Sequence, residues 1–79
     1  MASKEKKSAI ELRALIMDEV RKHPDWDDIV DVAIIQSIRS APHHPNWDGA
    51  FTMAGQRIAP ERAFRFVTEL KGKFDCVWP

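Results

Sequence analysis

His43 and His44 stand side by side between Pro42 and Pro45, the most suggestive grouping of reactive side chains in the chain. Imidazoles are common metal ligands and general bases, and flanking prolines would stiffen the loop that carries them. A metal needs three or four converging ligands, however, and adjacent histidines usually point apart. Reinforcement would have to come from Asp48, His23 or Cys76 elsewhere in the sequence. Metal binding at the His43-His44 loop is therefore carried as an alternative to a solvated hairpin loop, and no cofactor is expected.

Cys76 is the only cysteine. Paired with His43 or His44 it could form a thiolate nucleophile, but a lone cysteine in an apolar tail reads as a small buried hydrophobe. The acidic run Asp25, Asp27, Asp28 and Asp31 fails as a calcium loop. Ile29 and Val30 occupy the positions where such a loop needs an oxygen ligand and a glycine. Turn chemistry and helix capping account for these aspartates. No Gly-x-Ser-x-Gly elbow is present, and three dispersed glycines cannot cradle a phosphate. The expected protein is not an enzyme.

Twelve Lys and Arg balance twelve Asp and Glu. This removes the long-range positive field on which nucleic-acid or anionic-membrane binding relies. Lys4, Lys6, Lys7, Arg13, Arg57, Arg62 and Arg65 could assemble a basic strip, with Trp47 or Phe51 stacking on a base. Interleaved acids oppose this, and weak nucleic-acid or regulatory binding is kept as an alternative. No apolar run approaches the length of a membrane span. With one cysteine and no secretory h-region, a cytoplasmic setting is expected.

The elements that must position these residues follow from periodicity. Residues 1–7 are polar and lysine-rich and read as a disordered tail, leaving 8–79 as one small α+β domain. Ser8 through Glu11 forms a capping box. Ala9, Leu12, Leu15, Ile16 and Val20 then share a helical face, which predicts a helix over 8–22 that Pro24 ends. Asp18 and Lys22 are spaced as an i,i+4 ion pair. Trp26, in the aspartate-rich turn that follows, should fold back onto the core.

Residues 29–39 fit both a helical and a two-residue period, but their β-branched content favours a strand over about 32–39. A helix there would make the fold all-α. Trp47, Gly49, Phe51 and Met53 alternate with polar or small residues and predict a second strand over 46–53, joined to the first as an antiparallel hairpin. Gly49 marks a candidate bulge. Pro60, Glu61 and the spacing of Ala63, Phe64, Phe66, Val67 and Leu70 predict a helix over 60–71 with Gly72 as its C-cap. The tail from Phe74 to Pro79 is too apolar for a free end, and should cover the core or add a short edge strand.

The runs Val20-Arg21-Lys22-His23-Pro24 and Pro45-Asn46-Trp47-Asp48, with Ala63 to Phe74, resemble a group of small uncharacterised bacterial proteins. The resemblance covers most of the chain and implies an α-β-β-α order. It carries no activity, ligand or catalytic residue.

A chain of 79 residues builds one modest core, and an isolated hairpin is marginally stable in water. The function expected is that of a small non-enzymatic protein-interaction or accessory module acting as a homodimer or on another protein partner. Two copies would join by strand pairing or through the apolar faces carrying Trp47, Phe51, Phe64 and Phe66. Trp47, Phe51, Val77 and Trp78 are the candidate interaction residues.

Overall fold

In the computed structural model, which describes residues 4–38, 44–55 and 57–78, Ser8 caps a helix, α1, running Ala9–Arg21. The capping box closes in both directions. Ser8 Oγ accepts the Glu11 amide at 3.1 Å, and Glu11 Oε1 accepts the Ser8 amide at 3.2 Å. Leu12, Ile16 and Val20 are buried along one face, while Leu15 lies off that stripe and is exposed. The acid-base pairs on its last turns are Asp18 with Arg21 and Glu19 with Lys22, one residue tighter than the expected Asp18-Lys22 spacing. A short 3-10 turn, Pro24–Trp26, then drops Trp26 into the core.

Residues 29–38 are not helical, so the all-α alternative falls. Strand β2 runs Ile29–Gln36 and pairs antiparallel with β3, Trp47–Met53. It begins three residues before the predicted 32 and stops before 39. The early start is hidden in the sequence by a register shift between Ile29 and Asp31 that leaves Val30 out of the pairing and exposed. One extra residue breaks the two-residue alternation on which a strand reading depends. Gly49 is not bulged. It pairs with Ile34, and a Cβ built there would stand 3.3 Å from Val67 Cγ1. Its bareness admits the second helix, α2 (Glu61–Lys73), close over the hairpin.

Gly72 does not cap α2. It lies within the helix, which continues to Lys73 and turns at once into extended backbone at Phe74. The only positive φ among the described residues belongs to Gly55. The C-terminal tail becomes β4 (Phe74–Val77), and its partner corrects the reading of Glu5, Lys6 and Lys7 as part of a disordered tail. Glu5–Ser8 form β1, parallel to β4, from Glu5 opposite Phe74 to Ser8 opposite Val77. No apolar alternation announces β1. The ladder offered by β4 orders it, with Lys7 Nζ lying 5.1 Å from the centre of the Phe74 ring.

Two side chains join the two strand pairs. Asn46 Nδ2 donates to the Cys76 carbonyl at 2.8 Å and its Oδ1 accepts the Cys76 amide at 2.9 Å, so one amide side chain does what a strand backbone would do. Next to it, Trp47 Nε1 donates to the Phe74 carbonyl at 3.0 Å. Trp47, Leu12, Ile16 and Val32 are the largest fully buried side chains, and α1, α2 and both strand pairs meet around them.

Candidate functional site

Among the described residues no histidine site is assembled. His44 is exposed, and His43 lies outside the described residues. The residues that could have reinforced them are engaged elsewhere. His23 stacks on Trp26 with ring centres 3.9 Å apart and Nε2 3.0 Å from Glu19 Oε2. Asp48 accepts the Gly49 amide and Lys71. Cys76 is buried, and that burial pushes its thiol up from its ordinary pKa. Among the described residues no three His, Cys, Asp or Glu side chains gather as a metal site would need. The aspartates of the turn also separate, with Asp28 meeting Arg57 at 3.2 Å and Asp31 meeting Arg13 at 2.8 Å.

The candidate interaction residues divide. Trp47 is fully buried and hydrogen-bonded, which makes it a core residue rather than a surface one. Phe51 is half-buried and meets Phe64 edge to face at 5.6 Å. Val77 is half exposed, and Trp78 is half-buried with its Nε1 enclosed and unbonded among the described residues. Four of the seven cations expected to build a basic strip are tied to acids, Lys4 to Asp75, Arg13 to Asp31, Arg57 to Asp28 and Arg65 to Glu61. No helix among the described residues is long and apolar enough to cross a membrane.

The feature that does assemble is the outer edge of β2, which no other strand among the described residues covers. Ser37 donates to the Asn46 carbonyl at 3.0 Å. The alternation of an antiparallel ladder therefore turns the backbone groups of Ala33 and Ile35 toward β3, and those of Val32, Ile34 and Gln36 outward. Asp31 closes part of this edge. Its Oδ1 accepts the Val32 amide at 2.8 Å while Arg13 Nε and Nη2 both reach the same oxygen. The Val32 amide bond, then Arg13, hold the Asp31 carboxyl below its ordinary pKa. On the far side of the hairpin Asp48 takes the Gly49 amide in the same way, with Lys71 as its cation. Both outer edges of the hairpin thus carry an aspartate-capped amide, a means of blunting a strand edge.

Beyond Asp31 the β2 edge stays open and apolar. Ile35 and Ile38 are 49% and 97% exposed, and Ile10 at the start of α1 is 81% exposed. A groove of about 320 Å³ lies between the start of α1 and β2, lined by Ala9, Ile10, Arg13, Val32 and Ile34 among others. Sequence reasoning missed these residues. Ile10 lies outside the buried helical stripe, and Ile35 and Ile38 read as ordinary strand aliphatics. Compared with family models, curated proteins and solved structures, the chain finds no match in any of the three.

Proposed function

We propose that this protein is a small non-enzymatic interaction module whose working surface is the open edge of β2, and that it acts as a homodimer. The observation that carries this reading is the conjunction of ladder groups at Ile34 and Gln36, met by no strand among the described residues, with the exposed apolar side chains of Ile35 and Ile38. Unpaired edges flanked by apolar side chains are templates for strand addition, and proteins that do not use them blunt them with charge or proline. Here Asp31 blunts only the first part, leaving a defined opening. A cytoplasmic setting goes with this reading, since the lone cysteine is held as a buried thiol.

Sedimentation velocity over a range of concentrations tests the proposal. The wild-type chain is expected to sediment as a dimer at high micromolar concentration, and Ile35→Glu to sediment as a monomer with an unchanged circular dichroism spectrum. A wild-type monomer throughout that range would remove the reading.

A further inference from the structure

We infer that β2 pairs with the β2 of a second copy in an antiparallel register centred on Ile35. This rests on the interaction-module reading and fixes how the partner is held. Three registers bring the open stretches of two copies together. Centring on Ile34 sets Gln36 opposite the partner's Val32, whose amide the aspartate before it already occupies. Centring on Gln36 sets Ile34 opposite the partner's Ile38, beyond the end of the strand at Gln36. Centring on Ile35 sets Ile34 opposite the partner's Gln36, and the two-fold repeats the match. The outward amides and carbonyls of Ile34 and Gln36 are then all met.

Side-chain chemistry agrees with this register. No charged residue lies between Val32 and Ile38, so an uncharged stretch faces an uncharged stretch and no like charges are brought together. Ile35 meets the partner's Ile35 on the outer face as a close, non-hydrogen-bonded pair. Carried on in the same register, the partner's Ile38 comes opposite Val32. There it stands at the groove lined by Ala9, Ile10, Val32 and Ile34, which covers one of the most exposed apolar side chains of the chain. The edge is self-complementary, which argues for a second copy as its occupant.

The test is disulfide trapping of full-length variants, with the wild type and its buried Cys76 as control. Opposed residues in a non-hydrogen-bonded pair have Cα atoms roughly 4.5 Å apart, within the range a disulfide spans. Ile35→Cys should therefore become covalently linked as a dimer under mild oxidation, while Ala33→Cys, far from its own copy in this register, should not. Gln36→Pro removes an outward amide without touching the β2-β3 ladder, and should lose the dimer while keeping the fold. A dimer by sedimentation that links through Ala33→Cys, fails to link through Ile35→Cys, or survives Gln36→Pro overturns this register and leaves the module reading standing. A monomeric wild type overturns both.

Discussion

At the scale of single residues, Asn46 has more structural responsibility than its chemistry suggests. It contributes nothing to the core, yet its side chain supplies two of the three side-chain hydrogen bonds that tie the hairpin to β4 among the described residues, the third coming from Trp47. Asn46→Leu leaves the Cys76 amide and carbonyl without these partners, which should cost about 1–3 kcal/mol. Chemical denaturation would show this as a lower midpoint, while Asn46→Asp should retain part of the stability, because its carboxylate still accepts the Cys76 amide. Cys76 gives a second expectation. Burial raises its thiol pKa, so a thiolate-seeking reagent should label the native protein slowly at neutral pH and rapidly in denaturant. Fast labelling of the native chain would contradict the burial.

At the scale of elements, Ser8→Ala removes one half of a complete capping box and should destabilise the protein by about 1 kcal/mol, read as a lower melting temperature. Deleting residues 1–7 should cost more than a frayed tail can, because it removes β1 from the side of β4. The elements differ in how far the sequence announces them. Both helices were legible because Ser8, Glu11 and the spacing of Leu12, Ile16 and Val20, or of Ala63, Val67 and Leu70, are local signals. Strand β3 was legible because Trp47, Phe51 and Met53 alternate without interruption. Strand β2 was legible only in part, since the unpaired Val30 shifts the phase of its alternation. Strand β1 was not legible at all, because Glu5, Lys6 and Lys7 become a strand only through a partner at the other end of the chain. The site was hidden for the same reason. Asp31 is an edge cap by virtue of Arg13 and the Val32 amide, neither of which its sequence neighbourhood identifies as partners.

At the scale of the whole molecule, Glu11 and Asp31 give stability a direction in pH. Hydrogen bonds to the Ser8 amide and hydroxyl lower the pKa of Glu11, and those from the Val32 amide and Arg13 lower that of Asp31. A carboxyl whose folded value lies below its unfolded one contributes stability that is full above the unfolded value and is lost as the pH falls through the folded one. Melting temperature should therefore be insensitive to these groups near neutrality and fall as the pH drops below the ordinary carboxylate range. Asp31→Asn should show a shallower fall, and an unchanged acid profile would count against the role given to that carboxylate.

The parallel pairing of β1 with β4 also governs the order in which the molecule can be made. The hairpin closes over a short connection, but β1 cannot find its ladder until Phe74–Val77 exist, after everything from α1 to α2 has been built. Contacts of such long sequence separation form late and slow folding. A nascent chain on the ribosome would hold α1 and the hairpin before either outer strand is in place. For that interval Lys4 to Lys7, three lysines and a glutamate, have no ladder to join and stay in water.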